Sequence, residues 1–337
     1  MKKDRINWID YAKGIGIILV VYGHMIRGLS TQITPSIFHI SDRLVYGFHM
    51  PLFFFLAGLF VAKWSASAPK IAIKQKLLIL AYPYFLWSII QGGINIVLSG
   101  YTNSAMDLKT LLNIIFFPIS QFWFLYVLFF IYLLYYLLKK FLNIKTIFLI
   151  SLFMFFLSPF INFWVFKLIF SNFVFFTSSS LIFSKFNLKN LENICTAKIL
   201  LIAFIIFSLS NYVFISNYKN MGIFIKNIIS LPIGFIGIIF CMVLASVLAK
   251  NNILPKLKYL GSLSMVIYLA HTIFSAGTRI VLLKLFYIDN IYLLIFFGVL
   301  FGVFLPVLLY EVSTRFGLVR LLFGNEIKVE ESNSLLH

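Results

Sequence analysis

Residues 8–29 read WIDYAKGIGIILVVYGHMIRGL. A helix that crosses the hydrocarbon of a bilayer needs roughly 20 predominantly apolar residues, and this run supplies them. Asp10, Lys13 and His24 lie inside it. The run is not flanked like a cleavable signal peptide, so it reads as a retained membrane helix. Comparable apolar runs recur along the chain. Ten helices are expected, near 8–29, 43–63, 76–98, 119–138, 146–166, 169–184, 198–216, 222–249, 259–279 and 290–313. The sixth is short and holds the polar stretch Thr177 to Ser180. Residues 105–118 read as an amphipathic or re-entrant segment before the fourth span.

The composition excludes a water-soluble fold. Of 337 residues, 61% are hydrophobic and 11% charged, whereas soluble domains carry about a quarter charged residues. The expected architecture is an all-α, polytopic membrane protein. One membrane domain covers 1–320, and a polar cytoplasmic tail covers 321–337, with Asn325, Glu326, Lys328, Glu330 and Glu331. Neither Cys195 nor Cys241 fits a disulfide framework or a metal cluster.

The formal net charge of +18 is spread over short loops, which argues for membrane orientation and against nucleic acid as a partner. With the N-terminus cytoplasmic, alternation over ten spans puts 20 of the 28 Lys and Arg on the inner side. The outer side keeps Arg27, Arg43, Lys109, Lys167, Lys219, Lys226, Arg279 and Lys284. Both termini are therefore expected in the cytoplasm. An extra or missing span in the middle would invert every later loop and spoil the bias.

Ionisable side chains at membrane depth are costly and mark functional positions. On a helix of about 100° per residue, Lys13 and His24 fall within about 20° of each other, and Asp10 within roughly 40° of His24. One stripe thus carries Asp10, Lys13 and His24, with Lys13 about 16 Å below His24. His49 enters the second span about 9 Å deep, a depth matching His24 on a neighbouring helix. His271 follows Tyr268 near the middle of the ninth span, and Arg279 lies toward its outer end. Trp123 opens the fourth span, where interfacial aromatics are common. Lys63, Lys70, Lys74 and Lys76 gather in the loop after span two; they satisfy orientation and would also suit anionic phosphates. No glycine-rich nucleotide loop, GxSxG elbow or HExxH metal motif is present.

Asp10-Tyr11-Ala12-Lys13-Gly14 followed by His24 resembles the opening of the membrane acyltransferase-3 family. Phe48-His49-Met50-Pro51-Leu52-Phe53-Phe54-Phe55-Leu56-Ala57-Gly58 resembles its second-helix signature. Trp123-Phe124-Leu125 and Ile267-Tyr268-Leu269-Ala270-His271 resemble motifs of later helices. The resemblance implies a ten-helix, stand-alone sugar O-acetyltransferase. Such an enzyme takes an acetyl group from cytoplasmic acetyl-CoA and places it on a surface glycan or its lipid-linked precursor. It points to His24 as catalytic, with Asp10 and Lys13 in support. Two departures stand out: Lys13 occupies a position where Arg is more frequent, and lysines at 70, 74 and 76 replace a cytoplasmic Arg-x-x-Arg.

The expected chemistry is attack by a sugar hydroxyl on a thioester, with the His24 imidazole as base or, as a second route, as acyl carrier. His49, Trp123, Tyr268, His271 and Arg279 are candidates for the acceptor side. Lys13, Lys70, Lys74 and Lys76 are candidates for the phosphates of acetyl-CoA. Acetyl-CoA acts as co-substrate, with no permanently bound cofactor and no metal. High Phe, Ile, Asn and Lys content suits an AT-rich bacterial genome and a multi-pass protein of the bacterial plasma membrane. The competing reading is a transporter or flippase for a lipid-linked sugar or small anion, because proton-coupled carriers also use intramembrane Asp, Lys and His. Paired halves with matching Gly/Pro-broken helices are not seen.

Overall fold

The computed structural model describes residues 6–30, 32–100, 106–184 and 186–324. Lys2, Lys3, Arg5, Lys185 and the polar tail from Asn325 lie outside the described residues. Among the described residues the fold is all helical. In chain order the elements used below are α1 (Asn7–Gly28), α2 (Pro35–Tyr46), α3 (His49–Gly58), α4 (Tyr82–Val97), α5 (Trp123–Lys139), α6 (Ile144–Leu157), α7 (Trp164–Phe183), α8 (Ala197–Asn217), α9 (Ile223–Lys250), α10 (Pro255–Ser262), α11 (Ser264–Lys284) and α12 (Ile291–Arg315).

Eight helical stretches are long and apolar enough to cross a membrane. Two further segments complete ten passes. One is the shorter apolar stretch Ile144–Phe160. The other is the expected second span, which is not one helix. It consists of the last turns of α2, a break at Gly47 and Phe48, α3, and a short helix at Val61–Ser65. The break is tolerated because protein covers it: Phe48 is buried, and a Cβ on Gly237 of α9 would collide with its side chain. The sixth span is a full helix of 20 residues, not a short one. Thr177, Ser178, Ser179 and Ser180 are buried in it. Each of the first three returns its hydroxyl to a carbonyl one turn back, which is how hydroxyls are carried inside an apolar helix.

The segment expected at 105–118 is described from residue 106 and is built of short turns, not a continuous helix. A single turn, Leu108–Leu112, is capped by Asp107 and leads through short 3₁₀ turns into α5. The Thr110 amide donates to the Asp107 carboxylate at 2.8 Å, and hydrogen bonds from Thr110 hold that carboxyl below its ordinary range.

Side-chain contacts sort the loops into two ends as ten passes require. At one end Trp8 reaches residues 188 and 192, Tyr136 donates to the Ser67 carbonyl, and Tyr82 donates to the Leu321 carbonyl. At the other, Arg27 meets Asp42, Arg43 meets Tyr218, and Asn227 donates to the Phe155 carbonyl. Every loop in the first group is one that charge alternation puts inside, and every loop in the second is one it puts outside.

The first helix is the axis of the bundle, packed against α2, α3, α9, α10, α11 and α12. Two glycines let α10 lie directly on it. A Cβ on Gly14 would run into the Leu257 carbonyl, and one on Gly261 into the Asp10 carbonyl. Such small-residue contacts replace the hydrophobic driving force that lipid cannot supply between helices. Tyr259 of α10 donates to Glu311 of α12. Replacing Gly261 with Val should cost at least about 1–3 kcal/mol in stability through overpacking. Gly93→Ala, where an added methyl meets open space, should stay within about 0.5 kcal/mol. Thermal unfolding in detergent reads both, and equal effects would remove α10 as the clasp on α1.

Candidate functional site

The helix α1 runs unbroken from Asn7 to Gly28, so the rise of about 16 Å between Lys13 and His24 holds. These two residues mark separate ends of one helix. At the inner end Asp10 is buried and pairs with Lys13, N to O 3.7 Å, while the Lys13 side chain keeps 37% of its surface accessible. A buried carboxylate beside a cation fixes the cation's place while part of its side chain stays accessible.

Toward the outer end three histidines converge. The His24 ring stands edge-on to His271 with centroids 5.1 Å apart, and His49 and Arg27 are its other electrostatic neighbours. The sequence set His49 at matched depth beside His24 and left His49 and His271 both open as its partner. The ring that touches His24 is His271, brought by α11, distant in sequence. His49 has Tyr46 as its ring partner, centroids 4.5 Å apart. Tyr46 also packs where a Cβ on Gly23 would sit, so one phenol stands beside both α1 and His49.

Hydrogen bonding fixes two of the three imidazoles. His49 Nδ1 lies 2.7 Å from the Val45 carbonyl. His271 Nδ1 lies 3.0 and 2.8 Å from the carbonyls of Ile267 and Tyr268. A carbonyl only accepts, so both Nδ1 atoms carry a proton, and in a neutral ring Nε2 is then the lone-pair nitrogen. Thr272 Oγ1 lies 3.3 Å from His271 Nε2. Both of these histidines are buried. His24 differs: it is partly accessible, and among the described residues no protein hydrogen bond holds its ring. An imidazole with reachable nitrogens, walled by two oriented imidazoles, can take up or release a proton at a bound group.

The remaining candidates form one aromatic train behind this trio. Trp123 packs on Phe54, Phe54 on Phe124, Phe124 on Tyr268, and Tyr268 on His271. Trp123 is partly accessible at the head of α5, and its indole faces α3, not the membrane interface alone. Tyr268 donates to the Gln121 carbonyl. Arg279 is buried and donates to the Gly28 carbonyl, tying α11 to the outer end of α1. Lys70 and Lys74 are exposed on Pro69–Lys76. Lys76 does not join them: its ammonium sits 3.5 Å from the Tyr132 ring centroid and 5.2 Å from that of Trp64. The sequence left out Gln91 and Gln121, a buried pair that exchanges amide hydrogen bonds at 3.2 and 2.7 Å. Two polar residues in apolar surroundings were the available signal.

Among the described residues no group of three or more His, Cys, Asp or Glu could hold a metal ion. A family profile described as an acyltransferase domain, of the acyltransferase-3 family, matches residues 6–311. Neither curated proteins nor solved structures give a match. Gln91→Leu leaves the Gln121 amide buried without its partner and should cost about 1–3 kcal/mol, whereas the double change Gln91→Leu with Gln121→Leu should recover part of that loss. Thermal unfolding of the purified variants checks the sign: a double variant no better than the single one would show that the pair is not a closed unit.

Proposed function

The chain belongs to the acyltransferase-3 family and is a multi-pass membrane acyltransferase; on that premise we propose that it moves an acetyl group from cytoplasmic acetyl-CoA to a hydroxyl of a surface glycan or its lipid-linked precursor, in a bacterial plasma membrane. The observation that carries the reading is His24. It is the one imidazole of the trio that the described protein groups leave unbonded, and it sits on the same unbroken helix as the Asp10–Lys13 pair.

In the proposed reaction a His24 nitrogen removes the proton of the acceptor hydroxyl as its oxygen attacks the thioester carbonyl. The tetrahedral oxyanion collapses, the carbon–sulfur bond breaks, and the CoA thiolate takes the proton back from the imidazolium. The His24 ring ends neutral and the acetyl group ends as an ester. His271, edge-on to His24, limits how the ring can turn, and preorganised geometry of this kind is a large part of catalytic power. Lys13 supplies a point charge for a phosphate of the donor, with Asp10 fixing its place. Lys70 and Lys74 remain proposed helpers for the same phosphates. Lys76, held on aromatic faces, is better suited to anchoring Pro69–Lys76 against α5. For the acceptor side the proposal keeps His49, Trp123 and Tyr268 as walls of the site, and it casts Arg279 as the tie that holds α11 in register.

Purified protein in nanodiscs, given labelled acetyl-CoA and acceptor glycan, should place label on the sugar. His24→Ala should lower that transfer by at least about 100-fold, the scale of a lost general base, at an unchanged level in the membrane. Lys13→Gln should raise KM for acetyl-CoA more than it lowers kcat. Near-normal transfer by His24→Ala rejects the catalytic assignment, and sugar movement without covalent labelling would favour a carrier.

A further inference from the structure

On the outer end of the bundle a cleft of roughly 470 Å³ opens between α2, α7 and α9. Arg43, Lys167 and Lys226 line it, with Tyr46, Tyr218 and Asn227. Each cation comes from a different helix, so their meeting is a product of the fold and not of local sequence. The Arg43 guanidinium lies 3.9 Å from the centroid of the Tyr218 ring, and the Lys226 ammonium lies 4.5 Å from it. One ring therefore gathers two like charges that repel each other. Asp42 also borders the cleft, but its carboxylate is committed to Arg27, N to O 2.6 Å. Among the described residues no carboxylate pairs with Arg43, Lys167 or Lys226.

Membrane proteins keep cations off the outer side where they can. Of the eight Lys and Arg that alternation leaves there, three converge on this one cleft. An anion bound among them would relieve their repulsion, and a phosphate, with several acceptor oxygens, can be reached from three directions at once. Asn227 is held in place by donation to the Phe155 carbonyl at 3.0 Å. The cleft also abuts the histidines: Tyr46, in its lining, packs edge-on against His49 and against Gly23, the residue before His24.

Resting on the acyltransferase reading above, we infer that this cleft binds a phosphate of the acceptor, so that the preferred acceptors are phosphate-bearing glycans or sugar phosphates and not neutral sugars. The phosphate is held at Arg43, Lys167 and Lys226, and the sugar it carries is placed on the Tyr46 side of the cleft, toward His49 and α1.

The test uses full-length protein in phosphatidylcholine nanodiscs titrated with sn-glycerol 3-phosphate by calorimetry. Arg43→Gln combined with Lys226→Gln should weaken binding at least 10-fold. The single change at exposed Lys167, Lys167→Gln, should weaken it several-fold without risk to the fold. Lys219→Gln, on the same side but outside the cleft, should bind like the parent protein. Glycerol phosphate should also inhibit acetyl transfer competitively against the acceptor and not against acetyl-CoA. Equal binding by parent and cleft variants overturns the inference. So does binding that vanishes when phosphatidylglycerol replaces phosphatidylcholine, since a lipid headgroup would then own the cleft. Phosphate binding that follows the variants in a protein that transfers no acetyl group to any acceptor would uphold the cleft and sink the acetyl-transfer reading alone.

Discussion

The close approach of α10 to α1 at Gly14 and Gly261 is the constraint on which the inner half of the structure depends. Both contacts are backbone against missing side chain: the Leu257 carbonyl lies where a Gly14 Cβ would be, and the Asp10 carbonyl where a Gly261 Cβ would be. Helices in lipid gain little from apolar burial against each other, so contact of this kind is what holds a polar first turn inside the bundle. Without it Asp10 would lose the protein cover that keeps it buried. The same device recurs at the outer end, where Gly23 admits the Tyr46 ring and Gly28 admits the Arg279 guanidinium. Helix α1 thus carries its polar stripe because it gives up side chains where its neighbours cross it.

That arrangement separates two electrostatic tasks along one rod. The inner end holds a cation with a buried counter-ion, and the outer half holds an imidazole with buried, hydrogen-bonded imidazoles around it. A chain of contacts through Tyr268, Phe124 and Phe54 then links His271 to Trp123. Aromatic rings resist bending, so a shift of α5 or α3 would be felt at the histidines. The Gln91–Gln121 pair pins the start of α5, whose preceding carbonyl at Gln121 receives the Tyr268 hydroxyl. Polar groups this deep are worth their desolvation only when every hydrogen bond is made.

Much of this was legible in the chain because hydrocarbon thickness is a severe filter. Apolar run length gave the passes, and charge alternation sorted the loops that side-chain contacts also bring together. The break at Gly47 and Phe48 was not legible, since a non-helical turn at membrane depth is permitted wherever protein covers it, and the cover is Gly237 on a helix far along the chain. The full length of the sixth span was not legible because its first turns, from Trp164, continue the apolar run of the fifth span, and the break between the two helices is only a short loop at 161–163. Depth along the spans brought His49 beside His24 but could not choose between His49 and His271 as the partner of His24. The structure gives the direct ring contact to His271, because helix neighbours in a bundle are set by packing and not by chain order. Lys76 illustrates the same limit: counted with Lys70 and Lys74, it is turned aside by Tyr132 and Trp64, which no loop composition reveals.

The two ends of the molecule also differ in how they treat positive charge. At the inner end Asp10 compensates Lys13 with a buried carboxylate 3.7 Å away. At the outer cleft the acid in the lining, Asp42, has been taken by Arg27, and Arg43 and Lys226 both lie over the Tyr218 ring. A π-face attracts a cation without cancelling its charge, so the field of the cleft stays open to a ligand. Moving Asp42 onto Arg43 instead of Arg27 would close that field and would also free Arg27 from its place above Tyr46. One carboxylate, by its choice of partner, therefore keeps the outer cleft positive and holds Tyr46 against His49.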